Sequence, residues 1–199
     1  GNAREVERYN RIWRRRHSVP LWIGARLDIE ALSQMGNLTL GAIQDENLLY
    51  QWGELLGKEA QRLGVNALSF SNLSIAVNLN NPIWGDRTLG GSPSQVAHTA
   101  GYLAQGLAQA GITHFVAGFP GGGDLLEEDG RDILDHGRAR LDSVELYPYR
   151  TLLENSLSVV QLGDFDIRDL SEAKPLPLSF SSNVSQQLLR EELGFRGVI

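Results

Sequence analysis

Three stretches of this 199-residue sequence carry residue types that could do chemistry. Glu127, Glu128 and Asp129 stand together, with Asp132 and Asp135 shortly after. Neighbouring carboxylates serve as general acid and base when their surroundings split their pKa values, and they can also bind a hard cation. The same spacing suits a solvated acidic loop. Just upstream lies Phe119-Pro120-Gly121-Gly122-Gly123-Asp124. Consecutive glycines let a ligand approach the main chain, and their N–H groups can cradle an anion. They can equally serve a tight structural turn, and no Gly-Lys-Ser/Thr follows to make a phosphate loop. The third stretch, Asn78 to Arg87, is built of turn-forming residues. Its adjacent Asp86 and Arg87 either lock the loop as an ion pair or offer a guanidinium to a ligand. Trp84 is placed either to stack on a sugar face or to pack.

Other chemistries find little support. The histidines His17, His98, His114 and His136 lack metal-pair spacing, and no Gly-x-Ser-x-Gly elbow occurs. No metal site and no cofactor is therefore assigned. Ser69, Ser71 and Ser74 read as packing or hydrogen-bonding residues. With no cysteine there is no disulfide, thiolate site or cysteine nucleophile, and the compartment stays open. A net charge of −6 argues against nucleic acid or an anionic membrane as main partner. The run Arg14-Arg15-Arg16 reads as a solvated helix face. No apolar run has the length of a membrane span.

The elements that must position these loops alternate between helix and strand. Glu5 to Arg16 has helix-forming composition, and Leu21 to Ala25 after Pro20 reads as a buried strand. Asp45 caps a helix from Glu46 to Leu63 whose apolar face comprises Leu48, Leu49, Trp52, Leu55 and Leu56, with Gly64 as its stop. Val65 to Phe70 is the next strand. Ser92-Pro93 opens a helix that runs to Ala110 and Gly111. Ile112 to Phe119 is a strand, and Leu141 to Leu153 is a helix interrupted at Pro148. Leu157 to Leu162 follows as a strand, Ser182 caps a helix through Glu192 up to Gly194, and Val198-Ile199 begins a further strand. This order predicts an α/β fold of parallel β/α repeats, with the functional loops at the carboxyl ends of the strands.

Read together, these pieces resemble family 3 glycoside hydrolases of the β-N-acetylglucosaminidase type. The segments that carry the likeness are Pro20-Leu21-Trp22-Ile23, Leu40 to Asp45, Asn81 to Gly90, Ala117 to Asp124, Leu141 to Arg150 and Leu193 to Ile199. The resemblance implies a single domain over 1–199, an incomplete TIM-type (β/α)8 barrel of about six strands that lacks the first and the last ones. It also implies a retaining mechanism with an aspartate nucleophile, and an Asp-His dyad as acid/base. Carried over residue by residue, the sugar-binding aspartate falls on Arg26, the Lys-His pair on Ala117 and Gly118, and the loop histidine on Gly122. The dyad falls on Glu128, Asp129 and Gly130, and a further histidine on Gly163. The nucleophile position is not assigned within 1–199. Asp86, Arg87, Pro120, Gly121 and Asp124 remain.

The sequence thus points to a degenerate family 3 domain without hydrolysis that keeps binding of a saccharide, an anion or a partner. One alternative is an active retaining β-N-acetylhexosaminidase or β-glucosidase with Glu128 or Asp129 as relocated acid/base. The other is an interaction module of a larger protein, with an oligomeric or intramolecular partner covering open sheet edges. The binding residues are Arg26, Asp86, Arg87, Gly121, Gly122 and Asp124. Arg26 and Arg87 are expected to face one pocket, with Asp124 and Glu128 or a bound anion between them. The resemblance leans toward a periplasmic or extracellular location in a bacterium.

Overall fold

The computed structural model describes residues 3–26, 36–69, 73–78, 81, 87–128, 130–155, 157–170 and 177–199. Helix α1 (Ala3–Arg16) precedes strand β1 (Gly24–Arg26), the short helix α2 (Asn37–Gly41), helix α3 (Glu46–Arg62) and strand β2 (Ala67–Ser69). Helix α4 (Pro93–Gln109) leads into strand β3 (Thr113–Phe119), followed by a hairpin of β4 (Leu126–Glu128) and β5 (Arg131–Leu134). A helical turn at Arg138–Arg140 widens into a π-helical stretch, Leu141–Glu145, before helix α5 (Tyr147–Asn155). Strands β6 (Val159–Leu162) and β7 (Asp166–Ile167) and the π-type helix α6 (Asn183–Glu192) complete the order.

Strands β1, β2, β3 and β6 lie side by side in that order, all parallel. Val198 bridges to Val159 beyond β6, where one more strand is expected from the sequence. The parallel α/β arrangement is the one that strand–helix alternation predicts, it fits the incomplete barrel that the resemblance implies, and the described strands do not close on themselves. The hairpin pairs instead with β7 in a separate three-stranded sheet of order β4-β5-β7. It reads in the sequence only as an acidic loop.

Local signals explain most boundaries. Asp45 accepts a hydrogen bond from the Leu48 amide at 3.1 Å and opens α3. Gly64, Gly111 and Gly194 take the left-handed conformation just past the ends of α3, α4 and α6. Pro148 lies at the second residue of α5, where its missing N–H is tolerated, so the break falls just before it. Ser182 makes no side-chain cap bond to α6, and the Val184 amide donates instead to Ser181 Oγ at 3.4 Å.

The predicted apolar face of α3 needs correction. Leu48 and Leu55 are 48% and 57% exposed, while Leu49, Gly53, Leu56, Gly57 and Ala60 are buried. The contact with α4 explains the narrower stripe. A Cβ on Gly53 would lie 2.3 Å from the Leu103 carbonyl oxygen, and one on Gly106 would lie 2.1 Å from that of Tyr50. The helices approach through glycines, so the leucines flanking that line are left outside.

Candidate functional site

The carboxyl ends of β1, β2, β3 and β6 surround a cleft of about 460 Å³. Its position follows from parallel strand order, which brings these ends to one face. Arg26 closes β1, and its register partner Ser69 closes β2. Along β3, Phe115 and Ala117 line the cleft, whereas His114 and Val116 are buried on the other face. Burial alone pushes the His114 pKa down, because it disfavours the charged imidazolium.

Further lining comes from the hairpin and from the turn after β6. Asp132 on β5 and Asp164 after β6 both reach the cleft, together with Gln161. An adjoining recess of about 320 Å³ shares Asp132 and Asp164 and adds Glu127 and Asp166. A more apolar recess, which shares Phe115, Gln161 and Asp164 with the cleft, is lined by Trp22, Val159 and Val198. Trp22 and Val198 are 55% and 64% exposed there.

The glycine triplet is clamped from within. Gly121 donates its N–H to the Gly118 carbonyl at 2.7 Å, and Gly122 donates to Ser74 Oγ at 2.8 Å. Asn81 Nδ2 reaches the Gly122 and Gly123 carbonyls at 3.4 and 3.5 Å. A Cβ on Gly123 would fall 1.8 Å from the Ile75 carbonyl oxygen. The Gly121 amide is spent on the turn itself and the Gly122 amide on Ser74, and Gly123 packs against Ile75, so the triplet is a packed turn. Gly118 stands in the left-handed region at φ +76°, where β3 slips register against β6. The peptide bond between Phe119 and Pro120 is cis.

The residues singled out in the sequence are distributed differently from the single pocket expected. Asp124 pairs with His136 Nε2 at 2.8 Å and lies 3.9 Å from Arg140, which reaches Glu145 at 3.3 Å. Burial pushes the Glu145 carboxyl pKa up, only partly offset by Arg140 and His136. Glu128 is exposed on the hairpin and ion-paired with Arg168, which also meets Asp135. Arg87 is exposed in a turn, where its carbonyl accepts from Asn37 Nδ2 at 2.6 Å, and it does not line the cleft. Neither Asp124 nor Glu128 therefore comes between two arginines. Of that expected set, Arg26 alone among the described residues enters the cleft. Asp86 and Asp129, like Ser71 and Trp84, lie outside the described residues.

Asp164 escapes the sequence reading altogether, and Asp132 stands there only as one of several carboxylates. No local signal separates them, because their meeting depends on β5 pairing with β7 across 33 positions, Ile133 with Asp166. The arrangement offers one guanidinium donor and two carboxylate acceptors to a ligand. No histidine lines the cleft among the described residues. No group of three or more potential metal-ligating side chains occurs among them either.

Comparison with known proteins gives this geometry a lineage. Residues 31–199 match the model of the glycosyl hydrolase family 3 N terminal domain. The chain belongs to glycoside hydrolase family 3. Among curated relatives, a beta-hexosaminidase of Nitrosomonas eutropha is 31% identical over 174 residues, covering 81% of this chain and 47% of that protein. Beta-hexosaminidase A of Pseudoalteromonas piscicida is 27% identical over 190 residues, covering 87% and 32%. A solved family 3 beta-N-acetylglucosaminidase from a Paenibacillus species superposes with a TM-score of 0.87 at 29% identity, over 100% of this chain and 40% of that one. The chain thus spans about a third to a half of the relatives it matches. Its fold is the β-hexosaminidase-like domain of family 3, and no helix among the described residues is long and apolar enough to cross a membrane.

Proposed function

We propose that this family 3 domain keeps its cleft for saccharide binding and has lost hydrolytic turnover. The observation that carries the reading is Arg26, which closes β1 in the cleft where the resemblance places a sugar-binding aspartate. A carboxylate accepts hydrogen bonds from sugar hydroxyls, whereas a guanidinium only donates. The exchange reverses both the charge and the hydrogen-bonding sense of that position. The same wall presents Ala117 and Gly118 where the resemblance has a Lys-His pair, so no side chain there compensates.

The test is turnover of 4-nitrophenyl N-acetyl-β-glucosaminide by the full-length natural protein. The expected result is release of nitrophenol no faster than the blank. Robust turnover that disappears on substituting a single carboxylate overturns the reading.

A second reading, an active glycosidase with a relocated acid/base, draws support from Asp132 and Asp164 in the cleft. It shifts the candidate acid away from Glu128, which is exposed and engaged with Arg168. A positioned general acid contributes about 10²–10⁴ in rate. Under this reading Asp132→Asn or Asp164→Asn removes the limb of the pH–rate profile that belongs to the acid, and an unchanged profile in both variants refutes it.

A further inference from the structure

We infer that the cleft recognises an anionic saccharide of the uronic acid class, with the sugar carboxylate on Arg26. The inference rests on the reading of the cleft as a saccharide site and adds the class of ligand. Arg26 is exposed at the end of β1 and makes no ion pair among the described residues. Asp132 and Asp164 line the same cleft, yet neither approaches its guanidinium within 4.0 Å. A guanidinium left unpaired in a concave site is a fork of donors that matches a planar carboxylate.

The neighbouring strand end supplies a second observation. Ser69, the register partner of Arg26, is 1% exposed, and its Oγ has no hydrogen-bond partner among the described residues. It too lines the cleft. A buried hydroxyl without a partner costs free energy until a ligand supplies one. Arg26 and Ser69 together present donors side by side on one wall. Asp132 and Asp164, with the carboxamide of Gln161, line the rest of the cleft and offer acceptors to ring hydroxyls. The cleft is therefore polarised, and a sugar with a carboxylate at one end and hydroxyls at the other matches it. A neutral sugar could accept hydrogen bonds from the guanidinium but would leave its charge unmatched. A phosphate dianion would gain the same fork but meet stronger repulsion from the two aspartates.

The experiment is calorimetric titration of the full chain with sodium D-glucuronate, N-acetylglucosamine, glucose 6-phosphate and sodium sulfate. Glucuronate is expected to bind at least about ten-fold more tightly than each of the others, the scale of one charge-assisted pair. Arg26→Gln should abolish that preference, Arg26→Lys should restore part of it, and Asp164→Asn should tighten glucuronate binding. Should Arg26→Gln fail to fold, Arg26→Lys and Asp164→Asn carry the test. N-acetylglucosamine binding as well as glucuronate, or an unaltered preference in Arg26→Gln, overturns the inference. So does sulfate or glucose 6-phosphate binding as tightly as glucuronate, and so does the absence of binding by all four. Hydrolysis of the aryl N-acetylglucosaminide would remove the loss-of-turnover reading alone. Ligand class would then be read from kcat/KM for the aryl β-glucuronide against the aryl N-acetyl-β-glucosaminide.

Discussion

Replacing Ser74 by alanine asks whether the glycine triplet is a clamped turn or an anion cradle. Ser74 is 1% exposed, and its Oγ accepts the Gly122 N–H at 2.8 Å in a buried setting. The substitution removes the acceptor and very little volume, so the cavity contribution is small. What remains is a buried amide without its partner, which costs about 1–3 kcal/mol. For a chain of this length each kcal/mol shifts Tm by about 2–4 °C, so Ser74→Ala should melt about 2–12 °C lower. The local signature is sharper. Hydrogen exchange at the Gly122 amide should accelerate by about 5- to 150-fold, because 1.4 kcal/mol of lost protection corresponds to a factor of ten. Ser74→Thr, which keeps the hydroxyl, separates loss of the bond from a change of size. An unchanged Tm together with an unchanged Gly122 exchange rate in Ser74→Ala would refute the clamp. The triplet's amides would then have to be satisfied elsewhere.

Four further outcomes are expected. Gly106→Ala places a Cβ 2.1 Å from the Tyr50 carbonyl oxygen, against backbone that cannot rotate away, and should cost about 1–3 kcal/mol in urea unfolding. Gly101→Ala in the same helix meets nothing within 4 Å and should stabilise by about 0.5–1 kcal/mol; equal effects of the two changes would contradict the glycine-mediated helix contact. Burial raises the Glu145 pKa above its unfolded value near 4.5, so this group's stabilisation is full below that value and is lost as pH rises through the folded pKa. Glu145→Gln should therefore flatten the decline of stability with pH from about 4.5 upward relative to the parent, and parallel unfolding profiles would show that Glu145 is not coupled to folding. Glu128→Ala breaks an exposed pair with Arg168 in which each side chain is 54% exposed, and should change stability by less than about 1 kcal/mol without altering ligand binding; a tenfold loss of affinity would return Glu128 to the cleft.

Local chemistry made much of the secondary structure legible. Asp45 with Leu48, Pro93 after Ser92, and Gly64, Gly111 and Gly194 mark helix ends within a few residues of chain. Alternation of those helices with apolar runs such as Thr113–Phe119 pointed to a parallel α/β sheet, because parallel neighbours need a crossover between them. The buried face of α3 was only half legible. Periodicity admits Leu48 and Leu55 as well as Leu49 and Leu56, and the choice between them is made by α4.

The site shows the same division more sharply. Residue type alone determined that position 26 carries a donor-only cation, that positions 117 and 118 carry no functional side chain, and that three glycines follow Pro120. Tertiary structure decided what each of these means. The triplet turns inward because the segment 73–78 lies against it, Asp124 is taken by His136, and Glu128 is drawn to Arg168. Asp132 and Asp164 reach the cleft because a hairpin of mostly polar, exposed residues docks beside β7. Pairings over such separations leave no trace in local composition. Carboxylates at 124, 128, 132 and 164 are chemically interchangeable along the chain, and only the strand register that places each one distinguishes a cleft wall from an ion pair at the surface.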